Sequence, residues 1–171
     1  ALGPDGRNYR REATQRVRAI VSEIYSAPRV TEMARRMSRL GITPGLALDL
    51  TTHGDTGQPW NFNDAAQRAK AERMLDEQRP LLLVGSPMCT AFSDIQNLNR
   101  AKQDPEVVRA ELEKARVHLN WCCHFYAKKM ECDAYLLRAH SAGATSWKQP
   151  EVMSLLQHPA VRRTVPDQCP Y

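Results

Sequence analysis

Hydrophobic residues that recur three and four positions apart predict two amphipathic helices near the start of the chain. In the first, apolar residues from Val17 to Ile24 share one face, which predicts a helix over residues 10–25. The second helix follows Pro28, which breaks the first, and ends at Gly41. Three more helices are predicted, one from Asn63 or Asp64 to about residue 78, one from Pro105 to about residue 130, and a short one from Pro150.

Short apolar runs bounded by turn residues predict buried strands. The runs are PGLALDL at residues 44–50, LLLVG at 81–85, CDAYLLRAH at 132–140 and AVRRTVPDQCPY at 160–171. Because these strands alternate with helices, we expect parallel pairing through right-handed crossovers. The predicted fold class is α/β, a Rossmann-like three-layer sandwich with a short, mostly parallel sheet. A single domain at residues 10–171 would follow a flexible arm at residues 1–9.

Three polar loops follow the first three predicted strands, and ligands of parallel sheets bind beyond the carboxyl ends of the strands. The loops are DLTTHGDTG, SPMCTAFS and RAHSAGATSW. The second loop places Cys89 on a tight turn that leaves a buried strand, where backbone N–H groups could stabilise its thiolate. This is the placement of a nucleophile, although a cysteine outside a disulfide is more often inert packing.

Composition narrows the class of protein. The 171 residues are 42% hydrophobic, which suits one globular domain. No apolar stretch is long enough for a membrane span, and the first residues lack the apolar core of a signal peptide, so we expect no membrane partner. The odd number of cysteines, five, argues against a disulfide framework. We therefore expect an intracellular protein, cytoplasmic or nuclear.

The positive charge is concentrated at the start of the chain. Residues 1–40 contain nine arginines and four acidic residues, which accounts for the whole net charge of +5. Arginine pairs with phosphate oxygens through two parallel hydrogen bonds, so a nucleic acid is the predicted partner. The predicted contacts are Arg16, Arg18, Arg35 and Arg36. A solvated helix face explains the same charges equally well.

Several segments resemble one enzyme family. GSPMCTAFS, residues 85–93, resembles the Gly-x-Pro-Pro-Cys-x-x-Phe-Ser catalytic loop of the cytosine-C5 DNA methyltransferases, in which the cysteine attacks the pyrimidine ring. LALDLTTHGDTG, residues 46–57, is similar to the motif that holds S-adenosylmethionine in that family. AYLLRAHSAGATSW, residues 134–147, and EIYSAPRVTEMARR, residues 23–36, look like parts of a divergent subgroup. The chain thus resembles a divergent, shortened member.

The resemblance implies an S-adenosylmethionine-dependent cytosine-C5 methyltransferase-like domain that acts on nucleic acid, with DNA favoured over RNA. It implies catalytic roles for Cys89, Ser93, His140 and Arg138. It implies cofactor contacts at Asp49, Leu50, Thr51, Gly54, Gly57, Ser86 and Pro87. No metal is expected. A further chain or domain beyond Tyr171 would supply the target-recognition region that the family carries.

The sequence departs from the family pattern at two important positions. Met88 stands where the family has a proline before the nucleophile, which loosens the turn. Ala139 stands where the family has a glutamate that hydrogen-bonds the base, so His140 or Arg138 would have to substitute. Losing a general acid slows a reaction by about 10²- to 10⁴-fold, so we expect impaired catalysis. The alternative is a non-catalytic nucleic-acid-binding or structural module derived from this fold.

Two other chemistries stay open at this point. His118 and Cys122 lie four residues apart on one predicted helical face, a feasible pair of zinc ligands, although Cys122 also belongs to the apolar face. Alternatively, His53 or His140 could activate the thiol of Cys89 in a Cys/His hydrolase.

Overall fold

The structure is a computed structural model that describes residues 19–55, 57–100, 102–132 and 134–166. Its strands are β1 (Ile20–Ile24), β2 (Thr43–Leu48), β3 (Leu82–Gly85) and β4 (Tyr135–Arg138). Its α-helices are α1 (Val30–Arg36), α2 (Ala65–Gln78), α3 (Ile95–Arg100), α4 (Pro105–Glu131) and α5 (Pro150–Gln157). Short 3-10 turns lie at Ser38–Leu40, Thr90–Phe92 and Thr145–Lys148.

The four strands form one all-parallel sheet in the order β2-β1-β3-β4. Their last residues lie in register: Ile24 is opposite Leu48 on one side and Gly85 on the other, and Gly85 is opposite Arg138. All four carboxyl ends therefore lie along one edge of the sheet, which we call the carboxyl edge. The α/β prediction is confirmed, and the fold is compatible with the predicted Rossmann-like three-layer sandwich.

The predicted helix over residues 10–25 is wrong for residues 20–24, which form β1. The apolar residues between Ile20 and Ile24 fit helical spacing, but Ser22 and Glu23 between them are buried as well. Central strands of parallel sheets are buried on both faces, so the spacing of their apolar residues does not distinguish a strand from a helix. Ser22 is tolerated because its hydroxyl donates a hydrogen bond of 2.6 Å to Gln78 Oε1. Residues 10–18 of this prediction lie outside the described residues.

The other predicted elements are mostly confirmed. Asp64 caps α2 by accepting a hydrogen bond from the Ala66 N–H group at 2.8 Å, and α4 and α5 begin at their predicted prolines. The α-helix predicted to reach Gly41 ends at Arg36 and continues as a 3-10 turn. The strand with a tail predicted within residues 160–171 does not form in the described part, because residues 160–166 contain no strand.

The chain divides into two compact units. The sheet unit comprises the described residues of Ala1–Pro87 together with Lys128–Ala139, and it contains the whole sheet. The helical unit comprises the described residues of Met88–Ala127 and His140–Tyr171. Its core contains Phe92, Leu119, Cys123, Ala144 and Val152. Compact units are not by themselves independently folding domains, so the single domain at residues 10–171 stays a prediction.

The predicted flexible arm at residues 1–9 lies outside the described residues. In the part of the chain that the structure describes, no helix combines the length and the apolar character needed to cross a membrane.

Candidate functional site

The carboxyl edge contains a point where the strand order reverses. From β1 the chain crosses to β2 on one side, and from β2 it crosses back to β3 on the other side. Ligands of open parallel sheets bind outside the strand ends at such a point, here between β1 and β3. Tyr25 follows β1 and Ser86 follows β3, and the Ser86 N–H group donates a 3.2 Å hydrogen bond to the carbonyl of Ile24. The segments after β1 and β3 therefore begin side by side.

Tyr25 makes the turn out of β1 unusually sharp. Its φ of 53° lies in the left-handed region, which a bulky residue rarely adopts. Its N–H group donates to the carbonyl of Leu48 at 2.9 Å, and its buried ring meets Phe62 edge-on at 4.9 Å. We missed this turn in the sequence because residues 20–25 fitted a helix. The turn lies within EIYSAPRVTEMARR, residues 23–36, and the likeness of this segment to the divergent subgroup stays a prediction.

Glu23 holds the segment after β1 in place. Its carboxylate is fully buried and accepts hydrogen bonds from the Thr31 hydroxyl at 2.6 Å, the Thr31 N–H group at 2.7 Å and the Ser26 hydroxyl at 2.9 Å. The Arg29 N–H group donates at 3.3 Å. Burial raises the pKa of this carboxyl, but the hydrogen bonds outweigh burial and hold the pKa below its ordinary value. A charged carboxylate thus ties the turn to the start of α1.

The segment predicted to hold the cofactor begins at the end of β2. Asp49 Oδ2 accepts hydrogen bonds from the Thr51 N–H group at 3.1 Å and the Thr51 hydroxyl at 2.5 Å. The Asp49 N–H group donates to Thr52 Oγ1 at 2.8 Å. Leu50 is half-buried between these residues. The structure places Asp49, Leu50 and Thr51 directly after the carboxyl end of β2, and their contact with a cofactor stays a prediction.

Gly54 and Gly57 belong to a small hairpin farther along the same loop. The Gly54 N–H group donates to the carbonyl of Gln58 at 2.9 Å, and the Gly57 N–H group donates to that of Gly54 at 3.0 Å. Gly57 has a φ of 72°, so its turn favours glycine. Trp60 is buried and stacks on Phe62 at 5.7 Å, which anchors the hairpin. Both N–H groups thus serve the hairpin, and the predicted cofactor contacts stay predictions.

Ser86 and Pro87 leave β3 at the carboxyl edge and are the last residues of this part of the sheet unit. The Ser86 hydroxyl donates to the carbonyl of Ala139 at 3.3 Å, and the Ala139 N–H group donates to that of Gly85 at 3.0 Å. Arg138 is the last residue of β4 and is half-buried. Ala139 is exposed and ends in a methyl group, and its correspondence to the family glutamate stays a prediction.

Cys89 lies two residues after Pro87, in the helical unit. Its thiol is half-buried and forms no disulfide. The carbonyl of Cys89 accepts a 2.9 Å hydrogen bond from the N–H group of Phe92. This bond begins the 3-10 turn Thr90–Phe92. Ser93 ends this turn by donating its N–H group to the carbonyl of Thr90 at 3.2 Å. Cys89 is therefore on a turn, as its sequence context predicts, and it is not sealed in the core.

His140 begins the second segment of the helical unit, and its ring meets Trp147 edge-on at 6.1 Å. Its predicted catalytic role, like the roles of Arg138 and Ser93, stays a prediction. The buried Cys122 packs in α4, four residues after the buried His118. No group of three or more metal-binding side chains occurs among the described residues, so the zinc hypothesis gains no support from them.

The two described arginines of the predicted nucleic-acid contact share one acidic partner. Arg35 and Arg36 are exposed on α1, and both form ion pairs with Glu32, Arg36 at 3.2 Å. Hydrogen bonds from these guanidinium groups lower the pKa of Glu32. One carboxylate between two cations leaves this surface net positive. Arg16 and Arg18 lie outside the described residues.

Comparison with known proteins found no matching protein-family model, no matching curated protein and no matching solved structure. The family hypothesis therefore depends on the motifs at residues 46–57 and 85–93 and on the geometry described above.

Proposed function

We propose that this chain is an S-adenosylmethionine-dependent cytosine-C5 methyltransferase-like domain that acts on nucleic acid, with DNA favoured over RNA. The observation that supports this proposal is the order of the parallel strands. It brings the segments after β1, β2 and β3 to one edge of the sheet, and the chain then reaches Cys89 two residues after Pro87. A nucleotide-binding edge followed directly by a cysteine turn is the arrangement that this chemistry requires.

The donors and acceptors at the carboxyl edge fit a nucleoside-containing cofactor. In nucleotide-binding sheets, an acidic residue after the strand that follows the first crossover accepts hydrogen bonds from ribose hydroxyls. Asp49 occupies this position, after β2. Ser86 adds a hydroxyl beside the point where the strand order reverses, and Glu23 fixes the turn that glycines form in other such sheets. When bound, the cofactor supplies the methyl group.

The protein's own chemistry begins with the thiol of Cys89. As a thiolate, its Sγ atom bonds to C6 of a pyrimidine ring that has been taken out of the base stack. The carbon–sulfur bond breaks at the end of the reaction, when the C5 proton is lost to solvent and the thiolate is released. The added electron density on the ring calls for an acid near the ring nitrogen. Ala139 has no acidic group, so His140 or Arg138 has to act there, and we expect turnover to be slow.

A second candidate function follows from Ala139 itself. An exposed methyl group at the position of the family glutamate suits a module that keeps the fold and binds nucleic acid without modifying it. Its Arg-rich first 40 residues would still contact phosphate. Cofactor binding and a covalent bond to the base separate the two functions, because the module needs neither.

Calorimetric titration tests the cofactor site. We expect the chain to bind S-adenosylmethionine and S-adenosylhomocysteine, and the Asp49→Asn variant to bind both at least tenfold more weakly, about the loss of one hydrogen bond to a charged group. Glu77→Gln, which removes an exposed carboxylate on α2, is the matched control and should bind normally. Failure of the parent chain to bind either ligand contradicts the proposal.

Covalent trapping tests the nucleophile. An oligonucleotide that contains 5-fluorocytosine should form an adduct with the chain in the presence of S-adenosylmethionine, and Cys89→Ser should abolish it. Cys132→Ser removes an exposed cysteine and should leave the adduct intact. An adduct that survives Cys89→Ser contradicts the assigned nucleophile, whereas cofactor binding without any adduct favours the non-catalytic module.

A further inference from the structure

We infer that Thr145 is a positioning residue that holds the turn bearing Cys89, an inference that rests on the proposed function. The turn Thr90–Phe92 follows Cys89 directly, and two successive carbonyls of this turn accept hydrogen bonds from distant side chains. The Thr145 hydroxyl donates to the carbonyl of Phe92 at 3.1 Å, and the Arg100 guanidinium donates to the carbonyl of Ala91. All of these residues belong to the helical unit.

The cysteine turn needs such support because its own hydrogen bonds are few. Two backbone hydrogen bonds close it, one from the Phe92 N–H group to the Cys89 carbonyl and one from the Ser93 N–H group to the Thr90 carbonyl. Short 3-10 turns have poorer hydrogen-bond geometry than α-helices, so their carbonyls depend more on outside partners. The ring of Phe92 is buried in the core of the helical unit and anchors one end. Thr145 binds the carbonyl of that same residue and so fixes the backbone beside the anchor.

Thr145 lies in the loop of residues 141–147, and side-chain hydrogen bonds hold this loop in place. The indole N–H group of Trp147 donates to the carbonyl of Ser141 at 2.7 Å. Arg163 stacks on Trp147 at 4.4 Å and donates to the carbonyl of Ala142 at 2.7 Å. Ala144, which precedes Thr145, is buried in the core. The hydroxyl of Thr145 therefore projects from a backbone that is fixed at both ends of the loop.

A second contact joins this loop to the segment after Cys89. A Cβ atom added at Gly143 would lie 2.6 Å from Asp94 Oδ2, so the backbone of Gly143 lies directly against that carboxylate. Thr145 and Gly143 thus contact the cysteine segment on both sides of Ser93. Loss of the Thr145 hydroxyl would leave the Phe92 carbonyl without this donor and let the turn move relative to the loop.

Alkylation of individual cysteines, measured by peptide mass spectrometry after iodoacetamide treatment, tests this inference without any methyl transfer. In Thr145→Val we expect Cys89 to react about fivefold faster, the change in local opening that the loss of one neutral hydrogen bond brings. Thr145→Ser keeps the hydroxyl and should restore the parental rate. Cys132 is exposed, so its alkylation rate measures the activity of the reagent. Cys122 and Cys123 are buried, so faster alkylation of either one indicates unfolding.

Equal alkylation of Cys89 in the parent and in Thr145→Val overturns the inference. If faster reaction of Cys122 and Cys123 shows that Thr145→Val is unfolded, Thr145→Ala removes the hydroxyl without a branched side chain and is judged by the same criterion. Adduct formation with the 5-fluorocytosine oligonucleotide should fall about tenfold or more in Thr145→Val, with cofactor affinity unchanged. A parent chain that forms no adduct contradicts the proposed function alone, because alkylation still decides the role of Thr145.

Discussion

The carboxyl edge of the sheet and the cysteine turn are fixed by different kinds of interaction. At the edge, backbone N–H groups of Tyr25, Ser86 and Ala139 donate to carbonyls of neighbouring strands. At the cysteine turn, side chains of Arg100 and Thr145 donate to backbone carbonyls. Backbone pairing does not depend on which side chain is present, whereas the turn has two particular side chains in addition to its own backbone hydrogen bonds. Side-chain substitutions at the edge should therefore change the backbone less than substitutions of Arg100 or Thr145 change the turn.

The largest expected effect comes from placing an acidic side chain at residue 139, on the carboxyl edge. On the proposed function, Ala139→Glu should raise the rate of methyl transfer from labelled S-adenosylmethionine to DNA by about 10²- to 10⁴-fold, because it would supply an acid near the ring nitrogen. The backbone at residue 139 is held by its bond to Gly85, and the side chain is exposed, so glutamate has room. Ala142→Glu adds the same charge at an exposed position of the helical unit. Equal rates for the two variants would contradict the assignment of residue 139.

Glu23→Gln removes the buried carboxylate that ties the turn after β1 to the start of α1. The amide would face the Thr31 donors with its own N–H groups, and we expect the free energy of unfolding to fall by about 2–3 kcal/mol. Because folding lowers the pKa of Glu23 from its ordinary value of 4.5, its contribution is present above that pH and is lost as the pH falls towards the folded-state pKa.

Urea unfolding of parent and variant between pH 3 and 7 measures this effect. The difference in stability between parent and Glu23→Gln should be largest near neutral pH and shrink below about pH 4.5. Glu77→Gln, at an exposed position, provides the control with little change in stability. A difference that does not vary with pH would show that the charge of Glu23 is not what holds the turn.

Substituting the two glycines of the hairpin after β2 distinguishes an effect on backbone conformation from an effect on cofactor binding. Gly57→Ala should cost about 1 kcal/mol of unfolding free energy, because alanine is strained at a φ of 72°. Gly54→Ala should change stability by less than about 0.5 kcal/mol, since the nearest atom to an added Cβ is 3.7 Å away. Calorimetric titration then asks whether Gly54→Ala weakens cofactor binding, as a close contact with the cofactor would require.

The smallest effect is expected at the exposed arginines of α1. Arg35→Ala and Arg36→Ala should each weaken DNA binding a few-fold and reduce the slope of log affinity against log salt by about 1, if each arginine contacts one phosphate. Arg73→Ala removes an exposed arginine of α2 and should leave the slope unchanged. Identical slopes in all three variants would place the phosphate contacts elsewhere.

Sequence reasoning succeeded where local signals dominate the fold. Asp64 caps α2, and Pro105 and Pro150 begin α4 and α5, because capping and the fixed φ of proline act within one turn of chain. The runs that contain β2, β3 and β4 were recognisable as short apolar segments between turns. The same local signals placed Cys89 on a turn after β3.

The elements that sequence reasoning missed depend on distant partners. Ser22 and Glu23 look like solvent-facing residues until Gln78 and Thr31 supply their hydrogen bonds. Thr145 contacts a carbonyl 53 residues earlier, which no local pattern encodes. The strand prediction at residues 160–166 also failed, and there the Arg163 side chain contacts the Ala142 carbonyl and the Trp147 ring.

In the turn after β1, an aromatic residue, Tyr25, adopts the left-handed conformation for which motif searches expect glycine. Glycine would adopt the left-handed conformation of this residue without strain, but it would leave a void beside Phe62. Selection for stability at this position should then retain an aromatic ring. Loops that bind nucleotides after a first strand are usually sought by their glycines, and a scan written for glycine would pass over this turn.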